Sequence, residues 1–133
     1  MAKLVLTNAN ISLGGTDVSA NVAAVTLTTS VNPVETTAFG STAITRVGGL
    51  KDNSITLSLH QDYSAIEGLV YPLIGTATTI IVFPNGTVVG TTNPRYTVSA
   101  LVTEWSSVNG AVGDLNTVDV TWPITGEVTK ATA

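Results

Sequence analysis

The hydrophobic period of this chain changes once, between Ser54 and Ile74. Ile55, Leu57 and Leu59 alternate with Ser54, Thr56, Ser58 and His60, the period-two signature of a half-buried strand. Then Ile66, Leu69, Val70, Leu73 and Ile74 fall at i, i+3, i+4, i+7 and i+8, which is one face of a helix. Ser64 stands where an N-cap belongs, and Glu67 three residues on completes a capping box. Gly75 is a natural stop. Pro72 lacks a donor and its ring would clash with the Gly68 carbonyl, so the spacing predicts a short helix that kinks or ends near Tyr71. No other stretch has this period. The rest must be strand and loop, laid against one short helix.

The remaining segments read as strands. Lys3–Ala9 is one, and Ile11–Leu13 continues it to a turn at Gly14-Gly15. Val22–Val31 alternates cleanly, and Asn32-Pro33 pushes the run beyond it to an edge, bulge or loop. Ile80–Phe83 is continuously apolar, as in a strand buried on both faces, and Pro84–Thr87 is a turn. Arg95–Trp105 puts Tyr96, Val98, Ala100 and Val102 on one face. Val118, Val120, Trp122 and Ile124 share a face of the last strand. Gly48-Gly49 and Gly110–Gly113 read as turns. The count is about seven to nine strands with links too short for parallel crossovers. This is a single mainly β domain over 1–133: an antiparallel sandwich or small barrel with one helix packed on it. A flexible tail is expected over about 127–133.

Residues 34–47 form the segment least able to make a core. Phe39 and Ile44 are isolated apolar residues in a Thr-rich setting, with a turn at Gly40-Ser41. A mobile surface loop is the usual meaning of such a stretch. The sharper meaning is an arm that gains order against a neighbouring subunit. On that reading the subunit-interface candidates are Phe39, Ile44 and Arg46, with Asp52 in the turn at the arm's foot.

Composition bears on partners. Charged residues make up 11% of the 133, against about a quarter in ordinary soluble domains. Hydroxyls cover the surface instead, which protects poorly against association. A net charge of −4 from nine acidic and five basic residues offers no basic footprint for nucleic acid. There is no cysteine, hence no disulfide or thiolate chemistry. The N-terminal apolar run is too short for a signal peptide and no window reaches membrane-spanning length, so synthesis and folding in the cytoplasm are expected.

Catalytic patterns are missing. His60 is the sole histidine, at a polar strand position, and no nucleophile elbow surrounds any serine. The carboxylates are scattered, without an EF-hand pattern, and no glycine-rich phosphate loop follows a strand. No catalytic, cofactor-binding or metal site is expected, and the chain reads as a non-enzyme. Trp105 and Trp122 could stack on a sugar, though such residues more often fill a core or interface.

The order of elements resembles the tail tube proteins of long-tailed bacteriophages. The matching features are the polar arm (Val34–Val47), the Gly49–Asp52 turn opening a Thr/Ser-alternating strand, and the Gln61-Asp62-Tyr63 step into the single helix. The Phe83–Gly86 turn and the unit from Leu101–Trp105 to Thr121–Gly126 complete the likeness, which covers roughly residues 20–128. The resemblance implies a self-assembling virion structural protein. Its subunits would form hexameric rings, stacked into a tube through which DNA passes without specific binding. Its partners would be copies of itself and other virion proteins, with no membrane. It would be assembled in the host cytoplasm. A capsid decoration protein or a neck or baseplate component reusing the fold is the alternative. A carbohydrate-binding sandwich is a third, and it requires Trp105 or Trp122 exposed on one face.

Overall fold

The computed structural model describes residues 9–86 and 88–132. The strand expected over Lys3–Ala9 lies outside these except for its last residue, as do Thr87 of the expected turn and Ala133 of the expected tail.

Ten strands occur among the described residues: β1 (Asn10–Leu13), β2 (Thr16–Asp17), β3 (Val22–Thr28), β4 (Val31–Glu35), β5 (Arg46–Lys51), β6 (Ser54–His60), β7 (Ala77–Phe83), β8 (Arg95–Leu101), β9 (Thr117–Pro123) and β10 (Thr129–Ala131). All pairings are antiparallel. One sheet runs β10-β8-β7-β1-β2, a second β3-β6-β9, and β4-β5 stand alone as a pair. The two larger sheets face each other across one core. They touch at a corner, where Ala100 bridges Ile124 and the Thr125 N–H bonds the Ser99 carbonyl at 2.8 Å. The sandwich does not close into a barrel.

The alternation read in the sequence is what builds this core. Ile55, Leu57 and Leu59 of β6 and Val118, Val120 and Trp122 of β9 point inward, and every one is buried. They meet Ile11, Leu13, Ile80, Val82, Val98 and Ala100 of the other sheet. The outward positions of β6 and β9 carry hydroxyls that pair across the strands. Thr56 Oγ1 and Thr121 Oγ1 lie 3.1 Å apart, and Ser58 Oγ donates to Asp119 Oδ1 at 2.7 Å. Such cross-strand pairs stabilise a sheet that carries few charges.

Four expectations need correction. Gly48 and Gly49 lie inside β5, not in a turn. Val34 of the partner strand passes over Gly49, and a Cβ there would sit 2.7 Å from the Asn32 carbonyl oxygen. The glycine answers a close approach between strands. Ile80–Phe83 is not buried on both faces: Ile80 and Val82 are in the core, while Ile81 and Phe83 are half-buried. Thr129–Ala131 of the expected tail pairs with Arg95–Thr97 as β10.

The fourth concerns the helix start. Helix α1 spans Glu67–Val70 and tightens into a 3-10 turn over Tyr71–Leu73. Pro72 explains the early end, because it cannot donate to the Gly68 carbonyl. Ser64 is not the cap. Asp62 Oδ1 accepts from the Ser64 N–H (3.0 Å), the Ala65 N–H (3.2 Å) and the Ser64 hydroxyl (2.8 Å). The N-cap position of the helix is Ile66, with no side-chain cap bond, and the Asp62 carboxylate instead holds the turn that leads into it through charge-assisted bonds. These bonds, the Ser64 hydroxyl's foremost, hold the Asp62 carboxyl below its ordinary pKa. No helix among the described residues is long and apolar enough to cross a membrane.

Leu57 is wholly enclosed between the sheets. Leu57→Ala is expected to lower unfolding stability by about 3 kcal/mol. Urea denaturation reads this as a lower midpoint with an unchanged slope.

Candidate assembly surface

Strands β3 and β6 do not stop where the body stops. The register that pairs Thr28 with Ser54 continues outward to pair Val31 with Lys51. The arm, β4 and β5 with their connecting loop, is therefore the outer half of one long hairpin whose inner half lies in the core. A bulge between Val31 and Pro33 absorbs the proline that cannot donate to the ladder.

The arm's root is tied to the body. Asn53 is buried: its Oδ1 accepts the Ser30 N–H at 3.3 Å and its Nδ2 donates to the Gly126 carbonyl at 3.3 Å. Its own carbonyl accepts the Ile124 N–H at 2.9 Å. The Asp52 N–H bonds the Ser30 carbonyl at 2.9 Å, and the Ser30 hydroxyl donates back to the Asp52 carbonyl. Lys51 Nζ lies 2.9 Å from Glu127 Oε1. This pair is exposed and orients the root more than it stabilises it.

Beyond the root every residue of the arm is exposed. Val34 and Val47 face each other across the strands. Thr36 and Thr45 continue that face, with their hydroxyl oxygens 2.8 Å apart. Glu35 and Arg46 pair on the opposite face. Phe39 stands at the tip turn, fully exposed at 109%, followed by Ile44 at 58%. The structure thus puts Phe39, Ile44 and Arg46 together on the arm and Asp52 at its foot, in solvent.

A second feature lies at the other end of β6. Thr117 pairs with His60, so the loop 103–116 leaves β9 at the far end of the same sheet. This loop is held by a hydrogen-bond network that sequence reading missed. The Glu67 carboxylate accepts from Trp105 Nε1 (2.6 Å), Gln61 Nε2 (2.9 Å) and Ser107 Oγ (3.0 Å). The Tyr63 hydroxyl donates to the Ser107 carbonyl at 2.8 Å and accepts from Asn116 Nδ2 at 2.7 Å. Burial alone pushes the Glu67 carboxyl upward, but the three donors together outweigh it and hold it below its usual 4.5. The loop also seals an edge of the sheet. The Thr117 N–H bonds the Asn109 carbonyl at 3.2 Å, and the Thr121 N–H bonds Glu104 Oε1 at 3.0 Å. Covering an edge in this way stops strand addition there.

Among the described residues the groups that could carry chemistry stand apart. His60 Nδ1 is buried without a hydrogen-bond partner among the described residues. The groove between the sheets, of about 400 Å³, is lined by Ala9, Val25, Leu27, Val82, Phe83 and Tyr96 along with Thr29 and Pro84. No acid or base is among these. No three His, Cys, Asp or Glu side chains come together among the described residues. The sugar-stacking expectation fails on geometry. Trp122 is fully buried, and Trp105 is half-buried against it with ring centroids 6.5 Å apart.

No protein-family model matches the sequence. No curated protein matches it either. Solved structures do match. A chain from the virion of a native gene transfer agent particle superposes with a TM-score of 0.77 at 12% identity, covering 97% of this chain and 99% of that one. A chain from the tail of an empty gene transfer agent particle, refined with C6 symmetry, gives 0.64 at 13% identity over 85% and 83%. A chain from the six-fold symmetrised baseplate of an anti-feeding prophage gives 0.58 at 6% identity over 98% and 97%. The chain has the tail-tube-like fold of these virion components.

Two outcomes follow. Gly49→Ala places a methyl against the Asn32 carbonyl, and overpacking of this kind costs about 1–3 kcal/mol. Hydrogen exchange should show about tenfold less protection across β4 and β5 with the core unchanged. Glu67→Ala removes the shared acceptor. Protection over Trp105–Asn116 should fall about tenfold, and tryptophan emission should shift red. The Glu67 pKa is lowered in the fold, so its contribution is complete above pH 4.5 and fades as the pH falls toward the folded value. An acid titration of the wild type should show the emission change only below that point.

Proposed function

We propose that this chain is a self-assembling subunit of a phage-type tail tube, forming stacked, six-membered rings within a virion and leaving a lumen for DNA. The observation that carries the reading is its likeness, over 85% of this chain, to a chain of a tail refined with C6 symmetry, combined with an arm that has no core of its own. A two-stranded hairpin alone is marginal in water. This one exposes Val31, Val34, Phe39, Ile44, Val47 and Leu50. Another copy is the natural cover for it. Phe39, Ile44 and Arg46 act as interface residues on the arm, and Asp52 fixes its foot. The role is structural, not catalytic. The net charge of −4 suits a channel through which phosphate must slide without sticking.

A baseplate or neck component is the second reading, favoured by the likeness to the baseplate chain over 98% of this one. Negative-stain electron microscopy with light scattering, run across protein concentration, separates the two. Tubes that lengthen with concentration are expected. Single rings that never stack would favour the baseplate reading, and a persistent monomer would overturn both.

A further inference from the structure

The β3-β6-β9 sheet is closed along one edge and open along the other. Glu104 and the backbone at Asn109 seal β9. β3 pairs with β6 alone, and its outer side makes no backbone hydrogen bond to another segment among the described residues. The core is unfinished on that side. Ile55 and Leu57 of β6 are wholly buried, whereas Leu27 and Val25, their partners in register, are only half-buried. An unpaired edge beside half-exposed apolar side chains is a template for strand addition. A surface with 11% charged residues does little to deter it.

The 400 Å³ groove runs along this edge, with Val25, Leu27 and Thr29 on one side and Val82, Phe83 and Tyr96 on the other. Ala9, where the described chain begins, lines it too. Ala9 also lines a smaller hollow beside it, shared with Ile11 and Val22–Val25. The order of these neighbours fixes a direction. Ile11 lies by the start of β3 and Ala9 by its middle, so β1 traced backwards heads along β3 toward Thr29, antiparallel to it. The chain before Ala9 is thereby aimed down the groove. It reads Lys3-Leu4-Val5-Leu6-Thr7-Asn8. Three apolar residues in succession put an apolar side chain on either face of a strand. Six residues reach about 20 Å at roughly 3.4 Å each, and Val25 to Thr29 takes only about 14 Å.

We propose that residues 3–8 add as a strand to the outer edge of β3 in their own chain, fill the groove and close the sandwich. Two arguments favour the chain's own segment over another copy. Attachment at Ala9 gives the segment an effective concentration of order millimolar at the groove, which a separate copy must match from free solution. The sheet edge that another copy would offer, β9, is itself sealed. Backbone bonds along β3 supply the attraction, and the groove takes the side chains of one face, as in β-augmentation by a peptide. The subunit then presents no open edge on this sheet. The inference stands apart from the tube reading and does not need it.

Amide hydrogen exchange read by NMR on the full chain, across a dilution series, tests this. Alternate residues of β3 bond β6, and those between them point their N–H groups outward. The outward set is expected to be protected at every dilution. Combining Leu4→Ser, Val5→Ser and Leu6→Ser should lower that protection about tenfold or more while β6 and β9 keep theirs. In the wild type, methyl protons of Leu4, Val5 or Leu6 should show NOEs to the Tyr96 ring, a readout that does not depend on the variant folding. Outward amides of the wild type that exchange as fast as loop amides, an unchanged rate in the triple variant, or missing NOEs would each overturn the proposal. Protection that builds only with rising concentration would put another copy on the edge and overturn the assignment to the same chain. None of these outcomes decides whether tubes form, which electron microscopy reads separately.

Discussion

The structure depends on the two-sided pairing of β6. This strand bonds β3 on one side and β9 on the other and places Ile55, Leu57 and Leu59 at the centre of the core. Its outward residues are Ser54, Thr56, Ser58 and His60. A slip of one residue against β9 would turn this apolar set into solvent and drive four polar side chains inside. Burying one apolar side chain of the set is worth about 1.5–3 kcal/mol, so the register is strongly specified. The cross-strand bonds Thr56–Thr121 and Ser58–Asp119 form only in that same register, so both faces agree.

The same strand pairing accounts for the arm. Because β3 and β6 are locked in register by the core, the chain beyond them is delivered already paired, and β4 and β5 need no hydrophobic face of their own to find each other. Asn53 makes the transition. It is buried and polar, and it spends its amide on Ser30 and Gly126. One side chain thereby binds both strands of the hairpin root to the end of β9. Burying an amide is tolerable only with such partners. The arm can then be exposed along its whole length without being unstructured at its base.

What the sequence disclosed, and what it hid, divides along one line. Features set by the chain's local period or by a single residue's covalent limits were legible: the alternation of Ile55–Leu59 and Val118–Ile124, the end of the helix before Pro72, the disturbance at Pro33, and the turn at Gly40. Features set by a partner distant in sequence were not. Gly48-Gly49 looks like a turn because the need for a missing Cβ comes from Asn32 and Val34 across the strand. Glu67 looks like half of a capping box because the donors that claim it, Trp105 and Ser107, are about forty residues away. The Asp62 turn was the exception, since Asp62 lies two residues before Ser64 and its carboxylate is a stronger acceptor than the Ser64 hydroxyl. The strand at Thr129–Ala131 has too few apolar residues to announce itself and exists because β8 offers an edge.

Low charge and high order are connected in this fold. A surface carrying 11% charged residues gains little solubility from repulsion, so unwanted association must be prevented by geometry. The edge of β9 is covered by Glu104 and the backbone at Asn109, which removes the most available template for indiscriminate strand pairing. Many of the large apolar side chains that remain exposed lie on two projections at opposite ends of one rigid strand, while Tyr63, Tyr71, Ile74, Val88 and Leu101 are exposed elsewhere. Neither projection can cover itself, and both are fixed by hydrogen bonds to the body. With the β9 ladder closed, the exposed projections are the surfaces left for the self-assembly proposed above, and indiscriminate strand addition is not among the routes open to it.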